Sequence, residues 1–458
     1  MAFIVASAFF MENLDGAAIT IVLPQIAGTF AITPTAASLG ITVYMISQAI
    51  FIAISSWAAD RFGPRDVFCW AIAVFVISSA VCGLSPSFSV FVIARIVQGA
   101  AAALMSPVGR VIVLRTAPKA ELMRAFGVTI WPGLIAPIIG QPIGGLIATY
   151  LSWQWIFFLN LPIGLAGIAL LLSCVDNRRE DHDRQLDVLG FVLAAASLSA
   201  LLYGLDRLSH DSSAWLPAAG LLSAGLVLGV LTLRRARNYP SPLIDIGLMK
   251  IRTFAFTSVT GGTPFRIAMG AAPFLLPLLF QMGFGMSPFD ASLLMLAYAG
   301  ANLLMKVVTN TILRRFGFRQ VLVVNGVITV VGVLLFAALV PGVPVPLILA
   351  VLALAGFTRS LQFTALATLA FADIPQPAMS GASTLQSMMQ QISFAFGIAL
   401  GAVILNISAA VRGSVAVGIA DFQVAFLLSA VLVAASMAWV FRLAHDDGAE
   451  VSGHTARR

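Results

Sequence analysis

The hexapeptide DRFGPR at residues 60–65 returns as RRFGFR at residues 314–319. The two copies share Arg, Phe, Gly and a final Arg at matching positions, 254 residues apart. Each copy lies between the second and third apolar stretches of a set of six. Internal repeats of this size are typical of helical membrane proteins built from two related halves. The repeat therefore predicts two halves of six spans each.

The composition predicts an all-α polytopic membrane protein. Hydrophobic types make up 60% of the 458 residues and charged types only 10%, against roughly 25% charged in an ordinary soluble domain. This excludes a soluble enzyme, a secreted disulfide scaffold and a disordered chain. About 20 apolar residues cross a bilayer, and the apolar stretches predict fourteen transmembrane helices arranged 6+2+6. The parts are an N-terminal six-helix bundle at residues 1–175, a two-helix insert with flanking cytoplasmic loops at 176–252, a C-terminal six-helix bundle at 253–445 and a cytoplasmic tail at 446–458.

The distribution of Lys and Arg predicts the orientation in the bilayer. The chain has 26 of these residues against 19 acids, a net charge of +7. In the fourteen-span register, twenty of the 26 lie on the side of the termini, Arg207 and Arg412 lie on the other side, and four lie within spans. Because cytoplasmic loops collect Lys and Arg, both termini are predicted to be cytoplasmic. This bias also explains the positive charge without a nucleic-acid partner.

No residue pattern indicates a cofactor or a metal site. The three cysteines lack CxxC spacing. The four histidines lie in polar segments or in the tail, so no haem ligand is expected within the membrane. The phosphate-binding pattern GxxxxGK[ST] is absent. We therefore expect no cofactor, and an ion gradient rather than ATP as the energy source.

Five stretches of the first half follow recognisable patterns. They are LDGAAITIVLP at 14–24, SWAADRFGPR at 56–65, ARIVQGAAAA at 94–103, APIIGQPIGG at 136–145 and SWQWIFFLNLPIG at 152–164. In this order they resemble the patterns LDxTIVxxALP, GxLADRxGRK, RxxQGxGAA, APxLGPxLGG and SWRWIFxINxPIG of the major facilitator superfamily, and within it of the fourteen-span drug:proton antiporters. The second half is recognised mainly by its topology and by the loop repeat.

This resemblance implies a proton-coupled secondary exporter of small amphiphilic compounds, including drugs, that works by alternating access. It implies a small-molecule substrate, protons and the lipid bilayer as partners, with no nucleic acid and no required protein partner. It also implies a bacterial inner membrane as the location. An enzyme activity is not expected.

Two carboxylates in the first span are the predicted proton-coupling residues. Glu12 and Asp15 are three residues apart, hence on one face of a helix. Ionised carboxylates are costly at membrane depth, and such residues usually mark coupling or substrate pathways. Arg95 in the fourth span needs an acceptor or a counter-ion, and the resemblance implies that it takes part in proton coupling. A later start of the first span, leaving Glu12 near an interface, is the alternative.

The loop between the second and third spans is a predicted gating element. Its residues Asp60, Arg61, Gly63 and Arg65 form a tight charged turn in which glycine permits unusual backbone angles. The resemblance implies that its acid and arginines pair in one conformation and part in the other. A simple positively charged stop-transfer loop is the alternative. In the second copy, Arg314 replaces the acidic residue.

The fifth span carries the antiporter motif, with predicted functional residues Ala136, Pro137, Gly140, Gly144 and Gly145. Small residues every fourth position favour close helix packing, and the prolines favour a kink. Packing alone explains this stripe equally well. Gln141 stands where the motif has Pro, which leaves open whether the bend linked to antiport is the same.

Polar side chains in other spans are the candidates for substrate binding. They are Gln98, Arg266, Tyr298, Asn302, Lys306, Arg359, Gln386 and Gln390. Spacing by four places Asn302 and Lys306 on one face of the tenth span, with Tyr298 one step earlier. For Lys306, extension of its ammonium group to the cytoplasmic interface is the alternative.

Four cations against two acids within the spans give a charge balance opposite to that expected of a pump for cationic drugs. Anionic or zwitterionic amphiphiles, carboxylates and metal chelates included, are therefore candidate substrates. A dedicated exporter of an organic anion or a metal chelate is the first alternative. A non-transporting membrane sensor or scaffold and a channel without proton coupling are the others.

Overall fold

The structure is a computed structural model. It describes residues 2–116, 122–174, 186–210, 215–239, 242, 245–414, 416–444 and 447–448. Within these ranges all regular secondary structure is helical, and thirteen helices are long and apolar enough to cross a membrane. The predicted all-α, multi-pass fold class is confirmed. Most of the predicted tail at 446–458 and the segment at 175–185 lie outside the described residues.

The chain divides into two compact units, one of Met1–Asp206 with Leu216–Leu243 and one of Arg207–Trp215 with Ile244–Arg458. The helices of the first part of the chain are α1 (Ala2–Thr29), α2 (Pro34–Ala37), α3 (Leu39–Ile52), α4 (Ser55–Phe62), α5 (Pro64–Gly83), α6 (Phe88–Thr116), α7 (Leu122–Tyr150), α8 (Trp155–Phe158), α9 (Asn160–Cys174), α10 (Val188–His210) and α11 (Trp215–Asn238). The predicted insert contributes α10 and α11, which fall mainly within the first unit.

The second unit contains α12 (Arg252–Ala255), α13 (Gly262–Leu278), α14 (Pro288–Ala337), α15 (Val345–Ala370), α16 (Met379–Val411) and α17 (Ile419–Val440). A π-helical turn precedes α13 at Phe256–Thr260, and another follows it at Leu279–Gly283. Such turns widen the helix locally and are frequent at functional sites. Arg266 lies between these two π-helical turns.

A break at Gly317 divides the 50-residue helix α14 into two arms. A straight helix of this length would extend about 75 Å, more than twice the thickness of a bilayer core. Gly317 has φ 73° and ψ 165°, angles outside the helical region. The arms at residues 288–316 and 318–337 therefore match the tenth and eleventh apolar stretches of the sequence.

The loop repeat of the sequence corresponds to a backbone repeat. Gly63, between α4 and α5, has φ 89°, and Gly317, at the equivalent position 254 residues on, has φ 73°. A side chain is strongly disfavoured at such angles, so both copies need glycine. Pro64 then occupies the first turn of α5, where its fixed φ suits a helix start.

Small residues allow helix backbones to approach closely in both units. A Cβ atom added to Gly99 on α6 would overlap the Tyr44 carbonyl oxygen of α3. A Cβ atom added to Gly356 on α15 would overlap the Tyr298 carbonyl oxygen of α14. Tyr44 and Tyr298 are again 254 residues apart, so the two units repeat this helix contact as well as the glycine turn.

The insert helices present an apolar surface. Their outward leucine and valine side chains are well exposed in the structure and include Leu189, Val192, Leu226, Val227 and Val230. Large exposed apolar surfaces are rare in soluble monomers but suit lipid.

Two polar contacts join the insert helices. Ser197 Oγ on α10 donates to the Gly225 carbonyl on α11 at 2.7 Å, and Arg235 on α11 pairs with Asp187, which directly precedes α10, at 2.7 Å.

Candidate functional site

An ion pair with no exposed surface forms the centre of the first unit. Arg95 Nη1 on α6 lies 2.7 Å from Asp15 Oδ2 on α1. Both side chains have a relative exposure of 0%. Because removal of one partner from such a pair leaves an uncompensated buried charge, the two groups depend on each other.

Amide side chains extend this ion pair into a network. Gln98, one turn after Arg95, accepts from Arg95 Nη1 at 2.6 Å and has its Nε2 3.4 Å from Asp15 Oδ1. Asn160, at the start of α9, has its Nδ2 3.4 Å from the same oxygen. Gln98 and Asn160 are both fully buried. Gln98, predicted as a substrate-binding candidate, therefore lies within the polar network of Asp15 and Arg95.

Ser79 on α5 connects the two amides. Its Oγ accepts from Asn160 Nδ2 at 2.9 Å and from Gln98 Nε2 at 3.3 Å, and donates to the Phe157 carbonyl at 3.0 Å. Side chains from α1, α5, α6 and α9 thus meet in one cluster. Polar clusters of this kind specify one packing arrangement when their members are satisfied.

The guanidinium of Arg95 also contacts α3. Its Nε donates to the Gly40 carbonyl at 3.1 Å, and its Cζ lies 4.2 Å from the centre of the Tyr44 ring, within the range of a cation–π interaction. Arg95 Nη2 and the Tyr44 hydroxyl have no hydrogen-bond partner among the described residues. The network therefore has unsatisfied polar atoms that another conformation or a bound water can satisfy.

Glu12 lies in a separate polar contact on α1. Its Oε1 accepts from Gln48 Nε2 on α3 at 2.6 Å, and its Oε2 accepts from Ser106 Oγ on α6 at 2.8 Å. Glu12 is half-buried, whereas Asp15 has no exposed surface. The two acids predicted to share a helix face thus differ in both partners and exposure.

The predicted gating residues occupy the turn between α4 and α5. Arg61 is exposed, and Asp60 and Arg65 are half-buried. Arg65 Nε pairs with Asp66 Oδ1, its neighbour in sequence, at 3.0 Å.

The predicted antiporter-motif helix α7 packs against α1. Gly140 approaches Leu14 and Gly144 approaches Ala18, and a Cβ atom added to Gly144 would lie 3.0 Å from the Ala18 carbonyl oxygen. Ala136 and Gly145 are buried and Pro137 is half-buried. The small-residue stripe therefore allows α7 close contact with the helix that carries Glu12 and Asp15.

In the second unit, Arg359 on α15 lies beside the predicted polar face of α14. Its Nη1 donates to the Tyr298 hydroxyl at 3.2 Å. Asn302, on the next turn of α14, accepts from Ser360 Oγ through its carbonyl at 2.6 Å. Lys306, one turn further along α14, is exposed.

Arg266 on α13 is buried, with 1% of its surface exposed. Its Nη1 has no hydrogen-bond partner among the described residues.

The two predicted glutamines lie on α16. Gln386 is buried and accepts from Ser258 Oγ at 2.9 Å, and Gln390 is half-buried one turn later. These residues lie in the same unit as Arg359.

Several polar residues that contact the predicted site residues, or each other, were not predicted from the sequence. They are Tyr44, Gln48, Ser79, Ser106 and Asn160 in the first unit, and Asn325 and Gln362, whose side chains bond at 2.8 Å, in the second. Each is a polar residue in an apolar stretch, which was the available signal. Asn160 also lies within the quoted motif at 152–164.

The long apolar helices define a multi-pass membrane protein, and its likeness to known proteins gives its family. The Major Facilitator Superfamily model matches residues 5–398 and, in a second match, residues 265–457. The chain belongs to the major facilitator superfamily, as its first-half motifs predicted, and is a transporter rather than an enzyme.

Curated relatives match nearly the whole chain. "Putative multidrug resistance protein MdtD" of Escherichia coli (strain K12) is 33% identical over 448 residues, which cover 97% of this chain and 94% of the relative. The protein of the same name from Shigella boydii serotype 18 (strain CDC 3083-94 / BS512) has the same identity and coverage.

Solved structures share the fold at low sequence identity. A POT family transporter in complex with 5-aminolevulinic acid has a TM-score of 0.71 at 14% identity, covering 95% of this chain and 94% of that chain. A D-xylose-proton symporter has a TM-score of 0.64 at 16% identity, covering 94% and 96%. At these identities the likeness concerns the fold alone.

Proposed function

We propose that this transporter is a proton-coupled antiporter that exports small amphiphilic compounds, drugs among them, by alternating access. The observation that carries the proposal is the buried Asp15–Arg95 ion pair within a network of polar side chains. Buried ionisable groups in membrane helices are costly and usually functional. The name of the relative MdtD supports drugs as a substrate class, and its bacterial origin supports a bacterial inner membrane as the location.

Protonation of Asp15 is the proposed coupling step. A protonated Asp15 no longer balances the charge of Arg95, which is held at 2.7 Å in the ion pair. Because an unpaired buried charge is strongly unfavourable, protonation favours a different arrangement of α1 and α6. Proton occupancy thereby shifts the population between two conformations, which is the requirement for coupling.

Glu12 is the proposed site of proton exchange with water. It is half-buried and accepts hydrogen bonds from Gln48 and Ser106, and it lies one helical turn from Asp15 on α1. A change of charge at Glu12 therefore changes the electrostatic potential at the buried ion pair. In this scheme Glu12 passes the proton between water and Asp15, and the protonation of Asp15 beside Arg95 sets the conformational preference.

Fourteen spans in a 6+2+6 arrangement with cytoplasmic termini are part of the proposal. The break at Gly317 supports the count, because it makes two arms of membrane-spanning length from α14. The Lys and Arg distribution supports the orientation. Movement of the turns at Gly63 and Gly317 would then gate the cytoplasmic side.

A dedicated exporter of an organic anion or a metal chelate is the second candidate. Arg266 favours it, since this buried cation has an unpartnered Nη1 and no ion pair among the described residues. A sensor or scaffold is disfavoured because ionisable groups lie buried in several helices of both units. A channel would show flux without proton countertransport.

Proton movement in inverted vesicles tests the proposal. A pH gradient is imposed, and ethidium, 2-naphthoate or a magnesium–tetracycline chelate is added. We expect at least one of these compounds to collapse the gradient, and Asp15→Asn to abolish the response. The matched control is Asp290→Asn, because Asp290 lies at the exposed start of α14, bonded to Ser287.

Two results would contradict the proposal. One is an undiminished response in Asp15→Asn. The other is no response to any of the three compounds from folded, inserted protein, which would favour the sensor reading.

A further inference from the structure

Two cations lie close together in the second unit without an acid beside them. Arg359 on α15 has one recorded hydrogen bond, from Nη1 to the Tyr298 hydroxyl at 3.2 Å. Lys306 lies one turn after Asn302 on α14, and the Asn302 carbonyl accepts from Ser360 Oγ, next to Arg359, at 2.6 Å. Like charges in proximity destabilise each other unless a counter-ion joins them.

The described carboxylates of this unit all have other contacts. Asp245 accepts from the Gly247 amide, Asp290 from Ser287, Asp373 from Thr253 and Asp421 from Arg412, and Asp447 lies 3.7 Å from Arg252. None of them pairs with Arg359 or Lys306. Among the described residues of this unit, Arg359 and Lys306 therefore have no acid to balance their charge.

Aromatic rings surround the guanidinium. Arg359 Cζ lies 5.4 Å from the centre of the Tyr298 ring and 5.4 Å from that of the Phe363 ring. The Phe363 ring in turn lies 5.4 Å from Phe265 on α13 and 5.6 Å from Phe394 on α16.

Part of this aromatic surface is open to a ligand. Arg359, Phe363 and Phe394 are half-buried, whereas Tyr298 is buried. A ring laid against Phe363 would gain aromatic contact, and a carboxylate on that ring would reach the remaining N–H groups of Arg359. Arginine is suited to this role because its planar fork matches carboxylate geometry.

We propose that Arg359, Lys306 and Tyr298 form a subsite for the carboxylate of a planar aromatic acid, with Phe363 against the ring. The subsite rests on the proposed transport function and names a substrate class for it. Arg359 supplies the oriented hydrogen bonds, Lys306 a second positive charge, and Tyr298 holds the guanidinium in place.

Equilibrium binding to the purified full-length protein, without a pH gradient, tests the subsite. The probes are 2-naphthoate and 2-naphthylmethylammonium, which share a ring system but differ in charge. The variants are Arg359→Gln, Arg359→Lys, Lys306→Gln and Phe363→Leu. Arg237→Gln is the control, since Arg237 is exposed at the end of α11.

We expect the native protein to bind 2-naphthoate, with affinity lowered roughly tenfold or more in Arg359→Gln and in Lys306→Gln, as for a lost charge-assisted hydrogen bond. Arg359→Lys should keep part of the affinity. Phe363→Leu should weaken 2-naphthoate more than cyclohexanecarboxylate. The ammonium probe should bind no more weakly to Arg359→Gln than to the native protein.

Equal 2-naphthoate affinity in the native protein, Arg359→Gln and Lys306→Gln would overturn the subsite. So would native protein that binds only the ammonium probe, or neither probe. Lys306 is exposed, so Lys306→Gln provides a test even where Arg359→Gln does not fold. Binding through Arg359 without proton movement in vesicles would refute antiport and leave the subsite standing. Antiport of cations alone would support antiport and overturn the subsite.

Discussion

The carboxylate of Asp15 and the guanidinium of Arg95 meet at 2.7 Å although 80 residues separate them in sequence and neither side chain is exposed. The pair ties α1 to α6, and Gln98 and Asn160 attach it to neighbouring helices. A charge change at either residue is therefore a change in how these helices fit together.

Removal of Arg95 alone should destabilise the protein more than removal of both charges. Arg95→Gln leaves the Asp15 carboxylate buried and unpaired, a loss of about 3–5 kcal/mol for a pair of this kind. The double variant Asp15→Asn/Arg95→Gln should recover most of that loss and still lack proton coupling. Thermal unfolding in detergent of the native protein, Arg95→Gln, Asp15→Asn and the double variant measures this, and strictly additive effects would show that the pair is not coupled.

Asn160→Ala should weaken the network without breaking the ion pair. Its Nδ2 lies 2.9 Å from Ser79 Oγ and 3.4 Å from Asp15 Oδ1, and loss of a buried hydrogen bond costs about 1–3 kcal/mol. We expect reduced stability together with a shifted pH dependence of transport. A stability loss with an unchanged pH profile would assign Asn160 a purely structural role.

Gly144→Val should separate α7 from α1. A Cβ atom at Gly144 would lie 3.0 Å from the Ala18 carbonyl oxygen and 3.1 Å from Ala18 Cα, and overpacking of this kind costs about 1–3 kcal/mol. Gly220→Val on α11 is the matched control, because nothing lies within 4 Å of an added Cβ there. Equal unfolding temperatures for the two variants would contradict the close contact.

Gly63→Ala should strain the turn between α4 and α5. Gly63 has φ 89° and ψ 138°, a region nearly restricted to glycine, and the strain is about 1–3 kcal/mol. Gly28→Ala, in open space on α1, provides the comparison. If the turn gates the cytoplasmic side, Gly63→Ala should also transport more slowly than the native protein at equal protein abundance. Unchanged transport would show that the turn only connects α4 and α5.

The helices and their family could be predicted from the sequence because long apolar stretches leave few alternatives in a membrane. The loop repeat also predicted a real backbone feature, since Gly63 and Gly317 both have positive φ. The sequence did not predict that the tenth and eleventh apolar stretches form one helix, α14, because the break between them is confined to Gly317 and no loop separates them.

The site was predicted in part. Asp15 and Arg95 were named individually, but nothing in one sequence shows that residues 80 positions apart are bonded. Ser79 and Asn160 were missed because a single polar residue in an apolar stretch carries no sign of its partner. The different environments of Glu12 and Asp15 depend on Gln48 and Ser106 from other helices, which helical spacing on α1 does not report.

Proton release on ligand binding is the most direct test of the coupling role of Asp15. Purified protein in weakly buffered detergent solution is mixed with ethidium or 2-naphthoate, and the pH change is compared among native protein, Asp15→Asn and Asp290→Asn. The account predicts a proton released on binding by native protein and by Asp290→Asn, and none from Asp15→Asn although it still binds the ligand. Release of the same number of protons by Asp15→Asn and native protein would contradict it.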